Sequence, residues 1–396
     1  MPRMERSTEI ELIRRVLGHV EAGTKDMAAT TTPGPVAEYF DADRYSREID
    51  TLFRDLPLIV GHVSQVAKPG DFFTHDETGV PILVTRDLDG RLGAFINVCR
   101  HRGATVCRAA AGHGARNFAC PYHAWVYGID GRLTDIPDEI GFADADRSTL
   151  GLTRLPVAEK YGFIWVRPRP GAALDIDDFM GPLGPELDAL GLASHAMFNP
   201  ASGPAPTVVR RRMNWKLMVD TFLEGYHFKY AHPKSVYPLF LNNVAVFDRF
   251  EPHIRWVMPK RTMLDLKGTA ESSWRLRDHC FLMYYVFPNT MIVAVGDHIA
   301  TFAHFPTGPD EARMLLTVYV PEVPASDKAI KYWERNQAML LGAIDEDFVI
   351  GEGMQRGYRS GAQEHLTYGR FEHAIGYFHQ SVNRALDARN DKETTA

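Results

Sequence analysis

Cysteine is scarce in this protein. Four in 396 residues, at 99, 107, 120 and 280, cannot make a disulfide framework, and three of them crowd into one short segment, as metal ligands do. This usage fits a reducing, cytoplasmic compartment. Long apolar runs are missing too. Cys280 to Phe287 (CFLMYYVF) falls far short of the roughly 20 residues needed to cross a bilayer, so it suits a buried strand and no membrane span is expected. The N-terminus, MPRMERSTEIELIRRVLGHVEAG, scatters charge through a helical pattern and lacks the apolar core of a secretory signal. There is no positive excess either, and a formal net charge of -6 with mixed signs argues against nucleic acid as a partner. Internal repeats and low-complexity tracts are absent. So is a dinucleotide fingerprint: Gly112-x-Gly114 neither follows nor opens a βαβ pattern.

What is present is a globular composition, 45% hydrophobic and 24% charged, in a sequence long enough for two or more domains. Residues 1–54 read as an N-terminal helical segment with the linker TTTPGPVAEYF, expected to pack on a catalytic domain. Residues 55–167 are dense in strand and turn signals. Pro81–Asp87 and Arg91–Asn97 flank Asp89-Gly90, a second Asp-Gly follows at 130–131, and YGFIWVRP closes a compact β-rich unit. Residues 168–396 mix strand-like runs (CFLMYYVF, TMIVAV, MLLTVYV) with longer helical patterns. The fold class is therefore α+β, a β-rich domain followed by a second, mixed one.

The stretch CRHRGATVCRAAAGHGARNFACPYHAW holds three cysteines and three histidines. Cys99-x-His101 and Cys120-x-x-His123 each offer one thiolate and one imidazole from a loop, and two such loops make a closed four-ligand site. Cys107 and His113 lack partners at matching spacing. A zinc site accepts these ligand types, although zinc modules usually pair Cys with Cys and His with His. A Rieske [2Fe-2S] cluster uses two Cys on one iron and two His on the other. Plain packing residues are the third reading.

A second constellation lies in NWKLMVDTFLEGYHFKYAHP. Trp215, Met218, Val219, Phe222, Leu223 and Tyr226 follow helical spacing as an apolar stripe, and Asp220, Glu224 and His227 share another face. His232 stands five residues after His227, so both reach one metal only if the helix ends or widens between them; Pro233 favours an ending. Iron that activates O₂ takes two His and one carboxylate. Farther on, IDEDFVIGEGMQRG offers Asp345, Glu346 and Asp347. A continuous helix from about Ser326, with its stripe on Ile330, Trp333, Leu340, Ile344 and Phe348, turns Asp347 inward, where a carboxylate needs a cation, and points Asp345 and Glu346 away. Asp345 is the alternative ligand.

Cys-x-His-Arg-Gly, Cys-Pro-Tyr-His-Ala-Trp and the acid-x2-His-x4-His pattern together resemble the Rieske non-haem iron oxygenases, terminal oxygenase alpha subunits. The resemblance runs from near residue 35 to about residue 380. It implies a Rieske domain holding a [2Fe-2S] cluster on Cys99, His101, Cys120 and His123, and a helix-grip (START-like) catalytic domain with an antiparallel sheet. Mononuclear Fe(II) would lie on His227, His232 and Asp347. Glu224 would pass electrons from the Rieske histidine of a neighbouring subunit in a homotrimer or larger ring. An NAD(P)H-dependent reductase, directly or through a ferredoxin, would supply them. Tyr122 and Trp125 stand where high-potential Rieske proteins carry a cysteine and a hydroxyl, so a potential of about -150 mV, at the low end of the Rieske span, is expected.

Aromatics near Tyr226, Phe228 and 283–289 favour hydroxylation, with O₂, of a small aromatic or similar hydrophobic substrate. Hydroxylation or N-demethylation of a quaternary ammonium compound is the alternative, since aromatic cages bind such cations and Glu at 224 resembles that branch. A Rieske electron carrier without a second iron is the reading from another class.

Overall fold

The computed structural model describes residues 4–199, 203 and 205–395. The protein divides into two compact units, one of Leu52–Met180 and one of Met1–Thr51 with Gly181–Ala396.

The smaller unit is built from three short antiparallel sheets. Leu92–Ile96, Ile82–Arg86, Phe72–His75 and Ala111–Gly112 form one, in that order. Asn117–Ala119, Val126–Gly128 and Leu133–Asp135 form the second, and Val157–Lys160, Phe163–Val166 and Leu58–His62 the third. The tight turn between Lys160 and Phe163 places Tyr161 at φ 55° and Gly162 at φ 82°, the doubly positive pattern that matches strand twist in a two-residue hairpin. Phe72, Phe95, Phe118, Trp125 and Tyr127 fill the core on which the Cys/His segment rests.

The larger unit is organised by an eight-stranded antiparallel sheet. Ala196–Phe198, Glu311–Val320, Ile299–Gly308, Thr290–Ala294, Cys280–Val286, His253–Pro259 and Val246–Phe250 follow in order, and Thr207–Arg211 also pairs with Glu311–Val320. Burial in EARMLLTVYV alternates along most of the strand, as the two-residue pleat requires. CFLMYYV, in contrast, is buried at six of its seven positions, as its unbroken apolar sequence anticipates. Two long helices complete the unit, Asp327–Tyr358 and His373–Thr395. Ser326 caps the first, its side chain accepting from the Ala329 amide, so the helix runs unbroken for 32 residues. No helix among the described residues is long and apolar enough to cross a membrane.

Polar side chains tie the N-terminal segment into this unit. The Lys216 ammonium, fully buried, donates to both Glu48 oxygens at 2.8 Å, and the Trp215 indole donates to the same carboxylate at 2.9 Å. Nearby, the Tyr39 hydroxyl donates to Asp220 at 2.5 Å and lies 2.7 Å from the Tyr368 hydroxyl. His379 meets Asp220 at 3.1 Å through Nε2 and Glu38 at 3.2 Å through Nδ1. Asp220 is thus an interior carboxylate and not part of a solvated face. Burial works against charging His379, but the Asp220 and Glu38 carboxylates outweigh it and push the imidazole up to about 9. A raised histidine stabilises the fold fully below its unfolded value of about 6.5, and the contribution disappears as pH rises through the folded value. Stability should therefore fall by on the order of 3 kcal/mol between pH 6.5 and 10, in urea titrations, while His379→Gln flattens that slope.

Candidate metal centres

The two Cys/His loops have the same backbone design. The Cys99 amide donates to the Ala104 carbonyl and the Cys120 amide to that of Trp125, both at 2.8 Å. Gly103 N donates back to the Cys99 carbonyl and Ala124 N to that of Cys120, both at 3.0 Å. The closing residue is left-handed in each loop, φ 79° at Gly103 and φ 55° at Ala124, so Ala124 takes a conformation whose cost to a residue with a Cβ is about 1–2 kcal/mol. All four cysteines are free, and Cys99 and Cys120 are each 3% exposed. The His101 and His123 rings lie 4.7 Å apart, and His101 stacks on Trp125 at 4.9 Å. His101 Nδ1 is buried without a hydrogen-bond partner, as befits a nitrogen that ligates. Burial, with the nearby His123 and Arg102, holds His101 below the usual imidazole range and so keeps its lone pair free. Two thiols and two imidazoles are the donor types that a Rieske [2Fe-2S] cluster takes, two Cys on one iron and two His on the other. Of the two residues set aside, Cys107 is buried in the core, and His113 Nδ1 pairs with Asp71 at 2.8 Å.

Tyr127 completes this loop pair and was not visible from ligand spacing. Its hydroxyl accepts the Arg100 amide at 2.9 Å and lies 3.2 Å from Cys99 Sγ, to which it would donate when that sulfur is a thiolate ligand. Burial and the Cys99 contact hold the phenol above its usual range, so it stays a donor. One sulfur hydrogen bond is thus supplied from a position other than 125.

In the larger unit, His227 Nε2, His232 Nε2 and Asp347 Oδ1 come together. His227, His232 and Asp347 are, among the described residues, the one group of three or more such side chains whose ligating atoms lie within 4.8 Å of one another. The helical spacing of Trp215 to Tyr226 is not what delivers His227. The helix Trp215–Asp220 ends early, residues 221–227 form a turn, and a single helical turn, Phe228–Ala231, separates the histidines. His232 leaves it at φ -119°, ψ 46°, the non-helical geometry that Pro233 favours.

Each imidazole is oriented by a carboxylate on its remote nitrogen. His227 Nδ1 donates to Glu224 Oε1, while Glu224 Oε2 accepts the amides of Tyr226 and His227. His232 Nδ1 donates to Glu346 at 2.6 Å, and the Ser235 hydroxyl holds that carboxylate at 2.5 Å. His232 Nε2 meets Asp347 Oδ1 at 2.8 Å, and His227 Nε2 lies 3.4 Å from the same oxygen. Burial lowers the basicity of His232, yet Asp347 and Glu346 outweigh it and hold the ring above its usual range. The buried His227 Nε2 has no hydrogen-bond partner. This donor set, two imidazoles and one carboxylate with oriented remote nitrogens, suits a divalent iron, which His227, His232 and Asp347 would hold. Asp345 instead pairs with Arg211 on the outside, which removes it as the alternative ligand. Glu346 was expected to point away and reaches His232.

Comparison with known families decides between an oxygenase and an electron carrier. Residues 57–144 match the Rieske [2Fe-2S] domain and residues 201–388 the ring hydroxylating alpha subunit catalytic domain. The chain belongs to the Rieske oxygenase alpha subunits. It carries the family's two cofactors, the [2Fe-2S] cluster and mononuclear iron. Choline monooxygenase of Amaranthus tricolor is 28% identical over 364 residues, 88% of this sequence and 77% of that protein. The carnitine monooxygenase oxygenase subunit of Escherichia coli is 27% identical over 87% of this sequence and 91% of that one. A solved quaternary ammonium Rieske monooxygenase superposes with a TM-score of 0.75 at 25% identity, covering 91% of this protein and 96% of that one. Naphthalene 1,2-dioxygenase from Rhodococcus shares the fold, with a TM-score of 0.72 at 18% identity over 95% and 98%. These relatives favour the quaternary ammonium alternative over the aromatic substrate ranked first from sequence.

A hydrogen bond donated to a cluster thiolate stabilises the more negative reduced state. Tyr127→Phe in this Rieske oxygenase should therefore lower the cluster potential by about 40–60 mV, the one-electron equivalent of a bond worth about 1–1.5 kcal/mol, in a redox titration that leaves iron content unchanged.

Proposed function

We propose that this Rieske oxygenase hydroxylates a cationic, quaternary ammonium substrate with electrons from an external NAD(P)H-dependent reductase. The observation that carries the reading is a cavity of about 290 Å³ whose lining reaches the residues that flank the His227–His232–Asp347 group. Ser235, which holds Glu346 on His232, lines it, as does Ala343, one helical turn before Asp347. Phe240, Phe281 and Phe302 supply ring faces, and no Lys or Arg among the described residues lines it. Rings without a competing cation bind ammonium groups through their quadrupoles. The same lining carries one carboxylate, Asp297, and no Lys or Arg, so a betaine-type acid fits less well than an alcohol or amine.

In this reading Cys99, His101, Cys120 and His123 hold the cluster, and His227, His232 and Asp347 hold the iron, which when bound activates O₂. Glu224 and Glu346 fix the tautomers of the two histidines, so that each presents Nε2. The apolar walls of the cavity exclude water. One oxygen atom enters a substrate C–H bond and the other leaves as water, with two electrons and two protons completing the balance. Glu224 also offers lone pairs beyond its contact with His227, and in a head-to-tail trimer it would connect to the Rieske histidine of the next subunit.

A panel of choline, carnitine, alkyltrimethylammonium ions and naphthalene, run with a surrogate reductase while product and O₂ uptake are followed together, tests the substrate class. Coupled turnover of a cation without a carboxylate is expected; coupled turnover of naphthalene alone refutes the reading. Glu224→Gln should keep full iron content but slow substrate-dependent reoxidation of the cluster by a factor of about 10–100, of the size that loss of an outer partner produces. Normal reoxidation in stopped flow would remove the bridging role.

A further inference from the structure

The cavity is long, and its two ends differ chemically. Its wall along the helix Asp327–Tyr358 runs from Ala343 back to Tyr332. Fifteen residues separate Tyr332 from Asp347, about 22 Å of helix axis. The inner end reaches Ser235 and Ala343, the latter one helical turn from Asp347, whereas the outer end opens to solvent, with Tyr332 49% exposed. Between them the wall is mostly apolar, contributed by residues such as Val293, Phe302, Val318 and Leu340, with Asn336 and Gln337 as the polar positions on the helix side.

Asp297 sits at the outer end and is the only carboxylate lining the cavity among the described residues. It accepts from the Tyr332 hydroxyl and pairs with His298 Nδ1 at 2.7 Å. Trp333 packs edge-on to both neighbours, its ring 5.1 Å from His298 and 5.0 Å from Tyr332. No Lys or Arg among the described residues forms an ion pair with it. Arg277 acts on it only through space, and its guanidinium donates to the Val295 carbonyl at 2.7 Å. The Tyr332 and His298 contacts overcome burial and hold the Asp297 carboxyl below its usual range. The mouth therefore carries a fixed negative charge among three rings, half in water, at the end of an apolar slot.

The geometry points to Asp297, Tyr332, His298 and Trp333 as a binding subsite for the cationic head of an elongated amphiphile, whose apolar end is the part oxidised. This rests on the quaternary ammonium reading above and narrows it. A compact ion such as choline cannot touch Asp297 while its reacting carbon lies at the inner end, roughly 15–20 Å away. A long alkylammonium can. Its head stays partly hydrated at the mouth, which avoids the cost of burying a charge, and each methylene in the slot adds apolar burial. The reaction converts an alkyl C–H to C–OH, with O₂ as oxidant and the reductase's two electrons and two protons forming water from the second oxygen atom.

The test uses the holoenzyme with choline, dodecyltrimethylammonium below its micelle concentration, and neutral 1-dodecanol. Binding is measured by calorimetry without O₂, and product position by mass spectrometry. Dodecyltrimethylammonium should bind at least tenfold tighter than choline and be hydroxylated toward its methyl end. Asp297→Asn should weaken it five- to tenfold and leave 1-dodecanol binding within twofold. Tighter binding of choline, or oxidation at an N-methyl group, overturns the elongated substrate while leaving the quaternary ammonium function intact. Equal loss for the cation and the alcohol in Asp297→Asn overturns the subsite. If neither cation binds and only neutral compounds are hydroxylated, the parent reading has failed.

Discussion

Everything in the catalytic unit is arranged around one buried imidazole held between two carboxylates of adjacent residues. Glu346 takes the Nδ1 proton of His232 and Asp347 faces Nε2, so a single turn of the long helix sets both the tautomer and the aim of that ring. Adjacent helical positions diverge by about 100°, and both reach one side chain only when the ring lies across the helix face. The loop carrying His232 must therefore dock on the helix before any metal geometry exists. Ser235, on the same loop, secures the docking through Glu346.

The interior polar groups serve the same end from behind. Asp220 closes the helix that precedes the Glu224–His227 turn, and Tyr39 and His379 hold its carboxylate. Lys216, on that helix, is fixed to Glu48. Buried charges contribute little net stability as a pair but are costly to separate, so they specify where the helix ends more strongly than they strengthen it. The turn that presents His227 starts from an anchored point.

The legible parts of this molecule were those with local causes. Cys99-x-His101 and Cys120-x-x-His123 announce two loops because a thiolate and an imidazole on one short loop have few other uses. Pro233 marked the departure of His232 from helical geometry, and the phase of one long helix turned Asp347 inward. What stayed hidden depended on partners far along the sequence. Asp220 looked ambiguous because Tyr39 and His379 lie 181 and 159 residues away. Glu346 looked outward because its reach depends on how a distant loop docks. Tyr127 escaped because its approach to Cys99 follows from strand pairing, not ligand spacing. The early end of the helix at Asp220 contradicts an apolar period that continues through Tyr226, since the turn satisfies the same side chains without helical hydrogen bonds. Substrate class was the least legible, since the same rings line a pocket for a neutral arene or for an ammonium ion.

The division into two units also fixes an order of events during synthesis. The cluster-binding unit occupies an uninterrupted stretch, Leu52–Met180, and all its strand pairings can form as soon as that stretch is available. The catalytic unit cannot do so, because Tyr39 must wait for His379, 340 residues later. Glu48 stands without its partners until Trp215 and Lys216 are made, and Tyr39 without its own until His379, beside an insert already able to fold. Such distant closure is slow and leaves apolar surface open meanwhile. Closure of the catalytic unit thus waits on segments far apart in the sequence, and the electron-transfer module is the part able to form first.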